Sequence, residues 1–197
     1  MNIIKKLLLI ITLPILVSGP LKAADQGQIK IGIEGGFSPV DLEAEKTAQE
    51  IANAAGSTVT VEYDTGFFVG RIFAEYGLSQ NVDIEVGIFG TSDASATYKL
   101  SGASASESYN ADGIDMSINF KNEDGYFGKV GMHSSTINGN ASVTIGGTRY
   151  IVTASRDGAG PVLGAGWQDD EVRYSITHYS DVGDTTDMTV FSVGLLF

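Results

Sequence analysis

The sequence predicts an all-β protein: eight antiparallel strands, running up and down, closed into a barrel whose apolar side chains face outward. Three observations carry this. Apolar residues alternate with other residues at period two in eight separate segments, whereas a helical period shows once. Short Asn/Asp-rich turns and long connections alternate strictly, which puts every short turn at one end. The second face of nearly every strand is built from glycine, serine and charged residues. Glycine is abundant, at 25 residues, and proline scarce, at 4, as suits strands that bend and pack closely.

The first strand is "QIKIGIEGGF", with Ile29, Ile31, Ile33 and Phe37 on one face and Lys30, Gly32 and Glu34 on the other. In the second, "GFFVGRIFAEYGL", Phe68, Ile72, Ala74, Tyr76 and Leu78 alternate with Phe67, Val69, Arg71, Phe73 and Glu75. The third, "VDIEVGIFGTS", sets Ile84, Val86 and Ile88 against Asp83, Glu85 and Gly87. The fourth, "GIDMSINFK", sets Ile114, Met116, Ile118 and Phe120 against Asp115, Ser117, Asn119 and Lys121. The fifth, "YFGKVGMHSS", opposes Tyr126, Val130 and Met132 to Phe127, Lys129, Gly131 and His133. The sixth, "GPVLGAGWQ", carries Leu163, Ala165 and Trp167 on its apolar face, and the seventh, "EVRYSITHY", carries Val172, Tyr174 and Ile176 opposite Arg173. The eighth is the closing "DMTVFSVGLLF".

"SQNV", "NEDG" and "QDDE" are the short turns; residues 39–65, 101–112, 136–159 and 181–187 are the long connections, readable as loops or as strand extensions. Within the first, Leu42, Ala48, Ile51, Ala52 and Ala55 outline an amphipathic helix that stops at Gly56. In the third, "SVTIGGTRYIV" reads as a small hairpin about Gly146 and Gly147.

Residues 1–23 have the order of a secretory signal peptide: two lysines, an apolar run from Leu7 to Val17, then Ala23 and Ala24. The run is short of the ~20 apolar residues that a membrane-spanning helix needs. Cleavage after Ala23 or Ala24 is expected, leaving 24–197 as one barrel domain; an uncleaved anchor is the alternative. The net charge of −12 argues against nucleic acid, whose phosphates select basic proteins. Absence of cysteine excludes disulfides, thiolate zinc sites, cysteine nucleophiles and an N-terminal lipid anchor.

Alternation alone does not say which face is inward. Soluble barrels bury the apolar face, and membrane barrels expose it to lipid. An eight-stranded barrel has an interior just wide enough to be filled by side chains. Lys30, Glu34, Arg71, Glu75, Glu85, Asp115, Lys121, Lys129 and Arg173 are of both signs and could pair there. Tyr76, Phe120, Tyr126, Trp167 and Phe197 all fall beside the short-turn end, as an interfacial aromatic girdle would. The expectation is therefore a transmembrane barrel with short periplasmic turns, long extracellular loops and a lumen too full to conduct.

"SVGLLF", "GYFGKVGMHSS" and "GPVLGAGWQ" resemble the OmpA-like small outer-membrane β-barrel proteins of Gram-negative bacteria, over essentially the whole chain after the leader. The resemblance implies residence in the outer membrane among lipid and lipopolysaccharide. It also implies delivery by periplasmic chaperones and recognition by the barrel-assembly machinery through Phe197, Leu195, Val193 and Phe191. That family includes adhesins, serum-resistance factors, colonisation factors and plain structural barrels, so it selects no single activity. This chain departs from it in lacking a following peptidoglycan-binding domain and in its long acidic first connection.

The function expected is a non-enzymatic, monomeric barrel with a structural or surface-contact role, needing no cofactor or metal. Its contacts with a host or environmental surface would be made by the long connections, with Tyr98, Tyr109, Tyr150 and the first-connection helix as candidates. Two alternatives stand beside it. His133 and Ser135 in "MHSST" have the spacing of a lipid A-modifying hydrolase, although their face is assigned to the interior. A soluble periplasmic barrel binding a small apolar ligand is the other. His178 reads as a rim residue. Asp41, Glu43, Glu45 and Glu50 read as a solvated helix face rather than a Ca²⁺ or Mg²⁺ site, and "DVGDTTD" likewise. "IEGG", "GTSD" and "TIGGT" lack the context of a phosphate loop.

Overall fold

A computed structural model describes residues 26–40 and 43–197. The leader expected over 1–23, Asp41 and Leu42 lie outside the described residues. The elements in chain order are β1 (Ile29–Pro39), α1 (Ala44–Ala55), β2 (Thr60–Tyr63), β3 (Gly66–Ser79), β4 (Val82–Thr91), β5 (Ala94–Leu100), β6 (Ala103–Lys121), β7 (Tyr126–Ile145), β8 (Thr148–Gln168), β9 (Val172–Val182) and β10 (Thr186–Leu196).

Eight of these strands form a closed antiparallel ring, β1–β3–β4–β6–β7–β8–β9–β10, and β10 pairs back onto β1. The closing seam matches Gly32 to Leu196 and Phe37 to Phe191, and Phe197 extends it through reciprocal backbone bonds with Ile31. Closure pairs the main-chain donors and acceptors that an open sheet edge would leave bare. This matters most in lipid, where no water can satisfy them.

The two faces of the ring sort by chemistry. On β1, Gly32, Glu34 and Ser38 are buried, and Ile31, Ile33 and Phe37 are exposed. Ile72, Val86, Ile88, Ile114, Met116, Met132, Ile176 and Val193 likewise face outward. Ions are inside and aliphatic residues outside, so the alternative of a soluble carrier with an apolar interior does not describe this barrel. Close packing inside demands small residues at set positions. A Cβ on Gly87 would lie 2.5 Å from the Arg71 guanidinium, and one on Gly32 would strike the Phe73 ring.

Two of the long connections take the strand-extension reading rather than the loop reading. Residues 101–112 and 136–159 are mainly strand: β6, β7 and β8 run 19, 20 and 21 residues, well past the ends of β1, β9 and β10. Their upper parts join β5 and β2 in a sheet ordered β2–β5–β6–β7–β8, standing on one side of the barrel mouth. The β7–β8 hairpin turns at Gly146 and Gly147, both with positive φ (58° and 84°), as a two-residue turn matched to strand twist requires. These upper strands are poor in apolar contrast, so their alternation is weak in sequence. The helix is present as α1 and ends at Gly56. Ala44, Ala48, Ala96 and Tyr98 form a second small core between α1 and the outer sheet, flanked by Ile51, Val59, Val61 and Ala105.

Candidate functional site: a sealed lumen beneath an outer sheet

The lower lumen is an ion-pair lattice. Arg71 donates from Nε to Asp115 (2.8 Å), from Nη1 to Glu34 (2.9 Å) and from Nη2 to Glu85 (2.6 Å). Arg173 Nη1 donates to Glu75 (2.9 Å) and Glu85 (2.6 Å), and its Nε lies 3.3 Å from Glu34. Lys129 donates to Glu85 at 2.5 Å; Lys121 donates to Glu75 at 2.9 Å and pairs with Asp83 at 2.5 Å. Asn119 and Gln168 add neutral donors to the same carboxylates. Glu85, on β4, is thus the hub that joins β3, β6, β7 and β9. Each buried ion costs several kcal/mol in lost hydration, which only such dense pairing offsets.

Aromatic rings fill what the ions leave. The Arg173 guanidinium lies over Phe73 (4.8 Å) and Phe127 (4.4 Å), and Arg71 lies over Phe73 at 4.9 Å. Such contacts strengthen away from water. Toward the long-strand end the lumen becomes apolar: Val69, Phe89, Ala111, Val162, Tyr179, Val182, Met188 and Val190 pack together, backed by Phe67 and Ile137. The Tyr179 hydroxyl reaches down to Asp115 at 3.3 Å and ties the two layers.

Of the nine charged residues expected in the lumen, eight meet in this lattice. Lys30 does not: its ammonium pairs at 3.1 Å with exposed Asp170 of the β8–β9 turn, at the short-turn rim. Its backbone pairs beside Glu75, a lattice member, but its ammonium turns toward the rim instead. Asp83, Asn119, Gln168 and Tyr179 also belong to the lattice, though the sequence did not single them out as members of the charge network. Their inward parity was the available signal; charge balance alone did not require them.

His133 and Ser135 are both buried in the lumen wall. His133 Nε2 lies 2.7 Å from the Ser180 carbonyl and its ring meets Tyr179 edge-on at 5.5 Å; Ser135 Oγ accepts from Gly183 N–H. Neither faces the lipid side, where a lipid substrate would approach. His178 is half-buried and hydrogen-bonded to Thr189 at 2.9 Å. At the start of α1, Glu43 pairs with Lys46 and Glu45 accepts from Tyr63, which fits a solvated helix face.

The outward aromatics form two levels. Tyr76, Phe120, Tyr126, Trp167 and Phe197 lie at the short-turn end, where Trp167 packs near Tyr174 (6.1 Å) and donates to the Asp124 carbonyl. A second level is made by Phe68, Phe37 and Phe191, side by side on β3, β1 and β10. Ile29 stands beside Tyr76 and Phe37 beside Phe68 on β1. That separation is roughly 26 Å along the strand at ~3.3 Å per residue. It becomes roughly 20 Å after a ~40° tilt, close to the ~25 Å apolar band of membrane barrels. Phe191, Val193, Leu195 and Phe197 share this outward face and are all exposed.

Among the candidate contact tyrosines, Tyr150 is exposed on the β8 extension, but Tyr98 is buried beneath α1 and Tyr109 is half-buried facing the barrel mouth. Both Tyr98 and Tyr109 donate to Glu107, at 2.7 and 2.8 Å. Burial first, then the Glu107 carboxylate, pushes both phenols up to about 12. They serve as donors that fix the base of the outer sheet.

No family model matches the chain, and no curated protein does. Solved structures do. The attachment invasion locus protein Ail of Yersinia pestis is similar at 12% identity and a TM-score of 0.46, over 87% of this chain and 99% of that one. The outer membrane protein OprG of Pseudomonas aeruginosa is similar at 8% identity and a TM-score of 0.46, over 88% and 98%. Neisserial surface protein A is similar at 13% identity and a TM-score of 0.37, over 85% and 95%.

Proposed function

We propose that this chain is a non-enzymatic outer-membrane barrel with a closed lumen, whose work lies in envelope structure and in contacts made by its outer sheet. The observation that carries the reading is the inside-out packing: a densely paired ionic lattice within and an aliphatic belt without. Such a wall suits a lipid surrounding. The short turns then face the periplasm and the outer sheet faces the exterior. Surface contact is assigned to that sheet because the lumen holds no path for solutes. The β8 extension offers exposed Tyr150, Ile151 and Val152 there. Outer-membrane lipid and lipopolysaccharide would surround the belt, and a host or environmental surface would meet the sheet.

The test combines three readouts on the full chain. Fractionation should place it in the outer membrane with heat-modifiable gel migration, and planar bilayers should show no steady conductance. Replacing residues 139–154 by Asn-Gly, a turn that rejoins paired Asn138 and Ser155, should keep heat modifiability while abolishing cell attachment to surfaces. A steady large conductance, or attachment indifferent to the trimmed hairpin, would overturn the respective half of the reading.

A further inference from the structure

Above the apolar layer, at the long-strand end, the barrel mouth encloses a cavity of about 340 Å³. Its wall is largely aliphatic and aromatic, including Phe67, Ile137, Val182 and Met188. The floor is closed by the apolar layer and the ionic lattice beneath it, so the cavity is a blind pocket and not a segment of a channel. Ser38 borders it and is 1% exposed, yet its Oγ has no hydrogen-bond partner among the described residues. A buried hydroxyl left unpaired costs about 1–3 kcal/mol. Native structures therefore rarely keep one without a reason. The polar residues of the opposite, exposed side, such as Thr186 and Asp187, sit at the rim.

We propose that this pocket binds a small neutral molecule, apolar along most of its length and carrying one hydrogen-bonding oxygen, a medium-chain alcohol being the simplest case. The apolar body would lie against Phe67, Ile137 and Met188, and the oxygen would meet Ser38 Oγ at the enclosed end. Arg156 also lines the cavity but is exposed on β8, whereas the buried Ser38 offers only a neutral hydroxyl, so a neutral head is assigned and octanoate serves as the charged comparison. At ~30 Å³ per water-sized volume, the cavity admits on the order of ten non-hydrogen atoms. Its size lies at the lower end of ordinary ligand pockets, roughly 300–1,000 Å³. This goes beyond the surface-contact reading and does not depend on it.

The methionines supply an internal control. Met188 lines the pocket, whereas Met116 and Met132 face outward with 56% and 66% exposure. The full chain, embedded in phospholipid nanodiscs with ¹³C-methyl methionine, is titrated with 1-octanol and, separately, with octanoate. Binding predicts a saturable shift of the Met188 methyl, while Met116 and Met132 follow only the linear partitioning of octanol into lipid. Ser38→Ala, which removes an unpaired hydroxyl and should fold normally, is expected to weaken octanol about fivefold, the worth of one neutral hydrogen bond. Ala154→Trp, at the exposed rim, should abolish saturation and preserve heat-modifiable migration. A Met188 shift that never saturates, or that survives Ala154→Trp in the folded protein, overturns the site. Equal octanol affinity in Ser38→Ala, or tighter binding of octanoate, overturns the assigned ligand chemistry.

Discussion

Glu85 in the barrel and Ala48 above it are both buried, for opposite reasons. Ala48 is hidden because water surrounds the outer sheet and the hydrophobic effect presses α1 onto Ala96 and Tyr98. Glu85 is hidden because the barrel offers its aliphatic side to the surroundings, so the charges have only one another to turn to. One chain thus holds two cores of opposite polarity. The upper one is shape-driven and forgiving; the lower one is a set of mutual obligations in which most ions serve two or more partners. The change of rule falls where β6, β7 and β8 rise past the ends of β1, β9 and β10.

The largest effect that would sharpen this contrast is Glu85→Gln. It leaves Arg71, Arg173 and Lys129 short of a counter-charge, and breaking buried pairing of this kind costs about 3–5 kcal/mol. Urea unfolding of the chain in lipid vesicles should show that loss; a shift under about 1 kcal/mol would mean water reaches the lattice. A smaller, local effect is expected of Ala48→Leu, since overpacking costs typically about 1–3 kcal/mol. Amide exchange should quicken across α1 and β5 and stay unchanged in the barrel strands. Spread of that change into β3 or β4 would show that the two cores are one cooperative unit.

The gentlest probe is pH. Ultraviolet titration should find Tyr98 and Tyr109 ionising near pH 12. An unfolded tyrosine has a pKa near ~10. Because folding raises these values, the protonated phenols contribute stability fully below pH ~10, and that contribution fades as pH climbs through 12. Glu107→Gln should bring both titrations down toward the ordinary range; unchanged values would assign the whole shift to burial.

Sequence reading succeeded where contrast along a strand is strong. Ile29, Ile31 and Ile33 against Glu34, or Ile84, Val86 and Ile88 against Glu85, fix both strand and facing direction by parity. It failed where contrast is weak or where a third dimension decides. "ASASESYNAD" alternates small and polar residues, so the sequence left it readable as either loop or strand extension, and it is part of a long β6. Lys30 has the right parity and stands beside Glu75, yet its long side chain turns to Asp170 at the rim, which parity cannot report. The upper aromatic level of Phe37, Phe68 and Phe191 needs the inter-strand register, because its members come from three distant parts of the chain. The mouth pocket is less legible still. Ser38, Phe67, Ile137 and Met188 share nothing in the sequence that foretells their meeting.

The seam between β1 and β10 has a consequence for how the molecule comes to exist. Residues nearest the two ends of the described chain are hydrogen-bonded neighbours, Ile31 to Phe197, so a nascent ribosomal product has no circular state available to it. Everything before the final strand emerges as an unshut ribbon with two hungry margins. Such long-range pairing is slow to form. Until residues 191–196 reach β1, both strands are bare edges open to pairing with another copy.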